Sequence, residues 1–423
     1  MSTVQRRVMI CSIMLAFLLN LSTPYPSIAI VDTSERLSFD SPDYWPTEGW
    51  LTSSPEDQGM NSTMLENTGD YIINHEWTID SVVVIRHGYI VYELYPNPAY
   101  DVNSLHTLAS AAKSITSSII GAAIKRGNIS GIDANVLDFF SDRTIENIDS
   151  NKEAITIEHL LMMTSGLDWD DDSVGGDLWK LFDPIDFLQY ILDKPMLYAP
   201  GTHFYYSTAD SHLLSAIINQ TMEMSALEYG MEVLFEPLGI SDVEWRPDNQ
   251  GISIGGGWLN MTPRDFAKIG LLYLNNGTWD GQEIISSNYV QAATTTHNVA
   301  DGWSNEYGFQ WWITPSHDVY IASGAGGQKL FVQPKNDLIV VFTGPGYSED
   351  LSTYPPHVGS PEVLFYQFIL PAIYGSTSTT TPTTPTTTSD IPPDFTMLIP
   401  IVGLTAGVVI VVIVVFFLKQ RRM

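Results

Sequence analysis

Ser110 and Lys113 lie three residues apart in the stretch LASAAKSITSSIIG, residues 108–121. On a helix that spacing puts both side chains on one face, with their roots about 5–6 Å apart. A serine hydroxyl alone is a weak nucleophile, and a neighbouring base makes it a strong one. A lysine that is partly desolvated, or that sits near a second cation, gives up its proton more readily and can be that base. Ser110 also opens the apolar run, where the positive end of a helix dipole favours an alkoxide or oxyanion. The pair points to acyl transfer through a serine ester. Because S-x-x-K recurs in helices by chance, the reading depends on what other groups the fold brings to the pair.

Two kinds of element could do so. Residues 81–96, SVVVIRHGYIVYELYP, read as two strands around a tight His-Gly turn. Residues 319–344, VYIASGAGGQKLFVQPKNDLIVVFTG, read as two or three strands broken by Gly-rich turns and PKND. The middle has helical spacing in AAKSITSSIIGAAIKRG, TIEHLLMMTSG, SHLLSAIINQTMEMSALEYGMEVLF and TPRDFAKIGLLYLNNG. In the first of these, Ile115, Ile119, Ala122 and Ala123 are the positions that would bury the helix. Strands at both ends with helices between predict an α/β (α+β) fold, one sheet built from both termini with a mostly helical lobe inserted into it. A cleft between two such lobes is where a site belongs.

The ends of the chain have other tasks. Residues 1–29 have the basic, apolar and small-residue layout of a secretory signal peptide. The one cysteine, Cys11, lies inside it, so the mature chain has no thiol for a disulfide, a nucleophile or a metal site. Residues 395–418 carry no charge and are followed by KQRRM, residues 419–423. That pattern predicts a single transmembrane helix with a cytoplasmic tail and an extracytoplasmic domain. Residues 375–394 are a Thr/Pro-rich stalk, and 41–374 form the folded domain. Asn-x-Ser/Thr sites at Asn61, Asn128, Asn219, Asn260 and Asn276 suit export. The net charge of −29 repels phosphate backbones and argues against nucleic acid as a partner.

Five blocks in order, HTLASAAKSITSSIIGAAIKRGNI, ITIEHLLMMTSGLDW, GTHFYYSTADSHLL, GGGWLNMTPRDFAKIGLLYLNNGTWDGQEIISSNYV and YGFQWWI, resemble the serine β-lactamase and penicillin-binding-protein superfamily. The likeness is to its class C-like branch, near the 6-aminohexanoate-oligomer hydrolases and esterases, and it covers nearly the whole domain. It implies a β-lactamase/transpeptidase-like fold with an antiparallel sheet flanked by helices, and no cofactor or metal. It implies that Ser110 is the acylated nucleophile, Lys113 its activating amine and Tyr206 the tyrosine of a Tyr-x-Asn motif; either Lys113 or Tyr206 is the acylation base, with coupled protons. Thr208 stands at the Asn of that motif, on the substrate side. Ala325-Gly326-Gly327 stand at the K-T-G position, also on the substrate side, and the backbone N–H groups of Gln328 and Ser110 form the oxyanion hole. With Ala325 in place of a lysine, the grip on a substrate carboxylate is lost and β-lactams turn over poorly. The expected substrate is therefore a small-molecule or peptide amide or ester.

Other signals carry less. GISIG, Gly251 to Gly255, spells a hydrolase nucleophile elbow around Ser253, but the strand and helix that motif requires do not flank it. His106 reads as a packing or capping histidine, and the nine histidines show no metal spacing. The acidic run Asp168 to Asp177 reads as a solvated loop. Trp311 and Trp312 fit a cleft wall or the sheet core equally. Two rival readings stay open: a surface binding protein that kept the fold and lost the chemistry, and a cell-wall D-Ala carboxypeptidase or β-lactamase.

Overall fold

A computed structural model describes residues 42–171, 175–183, 185–299, 306–345 and 359–374. These residues all fall in one compact unit, Thr33–Thr377. The signal peptide, stalk, transmembrane helix and tail expected at the two ends lie outside the described residues. Among the described residues no helix is long and apolar enough to cross a membrane.

The apolar run of Ser81–Arg86 forms β1 and turns back into Tyr89–Leu94, β2. The turn between them is made by His87 at φ 50° and Gly88 at φ 80°, the left-handed pair that matches strand twist in a two-residue hairpin. The remaining strands come from the far end of the sequence. They are Asn298–Val299 (β3), Glu306–Tyr307 (β4), Trp312–Thr314 (β5), Val319–Gly324 (β6), Gln328–Gln333 (β7) and Leu338–Thr343 (β8). The order across the eight-stranded sheet is β2-β1-β8-β7-β6-β5-β4-β3. Every pairing is antiparallel. β1 zips onto β8 from Ser81↔Thr343 to Arg86↔Leu338, and Ser81 Oγ meets Thr343 Oγ1 at 2.6 Å. The sheet is thus built from both ends of the domain, as the sequence pattern predicts.

Because these strands are apolar on both sides, both faces must be covered. Val82, Val84, Phe331, Val340 and Phe342 pack with helix α1, Ser62–Asn74, and with the C-terminal helical run, residues 361–374. Val83, Ile85, Leu330, Val332, Ile339 and Val341 share the second core with the inserted lobe. The lobe's main helices are α2, Ala112–Lys125; α3, Thr208–Met222; and α4, Pro263–Leu274.

Helix α2 is buried all round from Ala112 to Ala123, not on one stripe. Ile115, Ile119, Ala122 and Ala123 are indeed fully buried. The small polar residues between them are tolerated because each hydroxyl is bonded. Ser114 donates to Gln310 O at 2.7 Å and Thr116 to Gly255 O at 2.7 Å, while Ser118 meets Tyr273 at 3.0 Å. A central helix fixed on every side is a rigid mount for whatever its first turn carries.

Candidate active site

Ser110 lies one step outside α2. It is the middle residue of a 3-10 turn, Ala109–Ala111, that feeds directly into the helix. Ala109 holds φ 46°, a left-handed conformation that costs a non-glycine residue about 1–3 kcal/mol. The surrounding core holds this turn; Leu108 N–H donates to Leu259 O at 2.8 Å.

Lys113, in the first turn of α2, is 2% exposed. Its Nζ donates to Ser110 Oγ at 3.3 Å, Thr208 Oγ1 at 3.1 Å and Gly256 O at 2.9 Å. Three acceptors match the three donors that a lysine ammonium carries. A Cβ on Gly256 would stand 2.6 Å from Thr208 Cγ2 and 3.2 Å from Lys113 Nζ, so glycine alone lets this backbone carbonyl come so close.

Tyr206 arrives on the segment ahead of α3, two residues before the first residue of that helix. Lys113 Nζ sits 4.9 Å from the centroid of its ring, within cation–π range. The far side of the site is Trp312, stacked on Tyr206 at 5.9 Å and 23°. The structure therefore divides the tryptophan pair. Trp312 supports the tyrosine, whereas Trp311 is fully buried against Tyr273 on the opposite face.

Ser110, Lys113 and Tyr206 are brought together, but the substrate-side expectations need correcting. Thr208 is 4% exposed and its hydroxyl accepts from Lys113, so it serves the amine and not the substrate. Ala325-Gly326-Gly327 are the turn between β6 and β7, with Gly326 at φ 80° and Gly327 at φ 86°. The residue laid against the Ser110 turn is Gly324. A Cβ there would stand 2.2 Å from Leu108 O and 3.0 Å from Ala111 N. Gln328, expected to offer its backbone N–H, is the ladder partner of Gly324 across the hairpin, one strand further from the Ser110 turn, and its buried side chain donates to Gly344 O at 2.6 Å. The strand segment at the site is thus Ala322-Ser323-Gly324.

The decoys resolve as structure. Ser253 is 1% exposed, and its Oγ accepts from Leu227 N at 3.2 Å inside the core. His106 is buried under the Tyr100 ring, and burial pushes its imidazole down to about 4. Among the described residues no group of His, Cys, Asp or Glu could hold a metal ion.

Two residues at the site and one buried acid on α3 escaped sequence reasoning. Gly256 was hidden in the GISIGGG run, and only tertiary contact reveals its carbonyl as a ligand of the lysine. Gly324 resembles the glycines that follow it. Asp210 sits at the start of α3, fully buried; its Oδ1 accepts from Ser165 Oγ at 2.7 Å, and its Oδ2 has no partner among the described residues.

Comparison with known proteins identifies the family. The Beta-lactamase family model matches residues 79–348. The chain belongs to the beta-lactamase family, and it is a serine hydrolase of that family. It is 22% identical over 290 residues to a 6-aminohexanoate-dimer hydrolase of Paenarthrobacter ureafaciens, covering 63% of this chain and 72% of that protein. It is 28% identical over 178 residues to esterase EstB of Burkholderia gladioli, covering 38% of this chain and 45% of the esterase. Among solved structures it shares the fold of EstCE1, a hydrolase with promiscuous acyltransferase activity. The TM-score is 0.63 at 18% identity, over 76% of this chain and all of that one (100%).

Proposed function

We propose that the protein hydrolyses an amide or ester through an acyl-enzyme on Ser110. The observation that carries this reading is Lys113, buried, donating to Ser110 Oγ at 3.3 Å while the Tyr206 ring covers it. Ser110 Oγ attacks the carbonyl carbon, and the oxyanion forms against backbone N–H groups at the start of α2, where the helix dipole favours it. Ser110 N–H is one donor. The second, expected of Gln328, falls in this reading to the strand end at Gly324–Ala325, which adjoins the Ser110 turn. In this reading Tyr206, as its phenolate, takes the serine proton as the bond from Oγ to the carbonyl carbon forms. As the phenol it hands that proton to the leaving group as the scissile bond breaks. A water then repeats the sequence, releasing the acid and restoring the serine. Thr208 Oγ1 and Gly256 O hold the Lys113 amine beside Ser110.

The named relatives are a hydrolase of an aminohexanoate dimer, which is a linear amide, and an esterase, which favours amide and ester substrates over β-lactams. We infer from the sequence of residues 1–29 and 395–423 that the domain is extracytoplasmic and tethered by one C-terminal span. Exposed sequon asparagines at Asn128 and Asn276 are compatible with that placement.

A fluorophosphonate probe tests the mechanism. The full-length chain should gain one adduct, located by mass spectrometry on Ser110, and should cleave p-nitrophenyl esters; Ser110→Ala should do neither. No adduct, or turnover that survives Ser110→Ala, would return the chain to the reading of a binding protein with a hydrolase fold.

A further inference from the structure

The strand that borders Ser110 carries no charge of its own, since Ala322, Ser323 and Gly324 are small and neutral. Its neighbour supplies one. Lys329 on β7 pairs with Ser323 on β6, and its Nζ donates to Ser323 Oγ at 2.6 Å. The same ammonium forms an ion pair with Glu362 Oε1 at 2.8 Å. Glu362 comes from the first turn of the C-terminal helical run, where Ser360 Oγ donates to its Oε2 at 3.2 Å.

Two strand adjacencies lead from this cluster to the site. Ser323 immediately precedes Gly324, which lies on the Ser110 turn. Ser323 also follows Ile321 by two residues, on the same face of the strand, and Ile321 pairs with Trp312, the ring that stacks on Tyr206. β5 pairs with β6 only at Val319 to Ile321, so the edge of residues 322–324 on that side has no strand partner among the described residues. Lys329 and Glu362 keep side-chain exposures of 18% and 41%, within reach of a solute. Burial alone would push the Glu362 carboxyl up, but the charge and hydrogen bond of Lys329 outweigh it and hold it below the usual carboxylate range. Glu362 is therefore ionised at neutral pH, and the pair sums to zero charge.

We propose that Lys329 and Glu362 form a specificity-determining pair: Lys329 supplies the cation absent from the bordering strand, and Glu362 occupies it as an internal counter-ion, so that the site favours substrates uncharged at this end. A substrate carboxylate must displace Glu362 and meets its repulsion, whereas a neutral group meets neither obstacle. The proposal rests on the reading of Ser110 as nucleophile.

Glu362→Gln, nearly isosteric, frees the ammonium while leaving the helix turn in place. Nitrocefin, which bears a carboxylate, and p-nitrophenyl butyrate, which is neutral, are the two probes for the full-length chain. The variant should raise kcat/KM for nitrocefin about tenfold, the worth of one charge-assisted contact. The ester should move by less than about twofold, as expected of a group that never touches it. Adding Lys329→Met should erase the gain. Equal changes on both probes, no gain, or a gain that survives Lys329→Met would each overturn the proposal. Fluorophosphonate labelling of Ser110 in wild type and variant separates the outcomes: labelling without a nitrocefin gain refutes the pair alone, and absence of labelling refutes the nucleophile.

Discussion

Asp210 is the group whose removal should do the protein good at alkaline pH. It is fully buried, with Ser165 Oγ on Oδ1, Ser207 nearby and Oδ2 unpartnered among the described residues. Burial pushes its carboxyl up from 3.8 to about 7, the serine hydrogen bonds lower it in part, and the nearby Asp171 raises it again. The unfolded chain releases the proton near 3.8, so between about pH 4 and pH 7 the folded state binds a proton that the unfolded state has lost. Stability must fall as pH rises through that window and level off above it. Each tenfold change in proton affinity is worth about 1.4 kcal/mol, so the rise to about 7 amounts to about 4 kcal/mol of destabilisation at pH 8. Asp210→Asn keeps the shape and cannot ionise. The difference in unfolding free energy, variant minus wild type, should therefore climb by about 2–4 kcal/mol from pH 4.5 to pH 8, allowing for relaxation around the charge. Urea denaturation of both full-length chains across that range measures it, and taking the difference cancels the chain's many other acids. Parallel pH profiles for the two proteins would show that Asp210 is ionised without penalty, and the account of its burial would fail.

Two further outcomes follow from the site. Thr208→Val removes one acceptor of a buried cation, worth about 1.5–3 kcal/mol, so kcat/KM on a neutral ester should drop about 10–100-fold; Thr208→Ser should restore most of it. If Thr208→Val acts only on KM, its hydroxyl touches substrate and not the lysine. Gly324→Ala drives a Cβ to 2.2 Å from Leu108 O, which should cost about 1–3 kcal/mol of stability by overpacking. It should also reduce Ser110 labelling more than Gly327→Ala does, and equal effects at the two glycines would displace Gly324 from the site.

Local chemistry makes much of this legible in the sequence alone. The His87-Gly88 turn, the strands of residues 319–343 and the Ser110–Lys113 spacing are written in short-range pattern, which survives folding unchanged. The third strand motif is not legible in that way. Ala322-Ser323-Gly324 and Ala325-Gly326-Gly327 are two similar strings of small residues, and which one meets Ser110 depends on how β6 is registered against its turn. That register is set by the approach of Gly324 to the Leu108 carbonyl, a contact between segments far apart in sequence. The same limit hides Gly256, whose backbone carbonyl is the ligand and which has no side chain to announce it. Thr208 shows the complementary case: its position is legible, but the direction of its hydroxyl depends on where the ammonium comes to rest.

The pairing of β1 with β8 has a consequence for biosynthesis. Ser81 and Thr343 are 262 residues apart, and the whole helical lobe lies between them. Contacts at such separation close slowly, so the first hairpin leaves the ribosome with an apolar edge that nothing can cover until almost the entire domain has been translated. A truncation before residue 338 removes the partner strand of β1 and leaves an apolar, unpaired edge on which chains can associate.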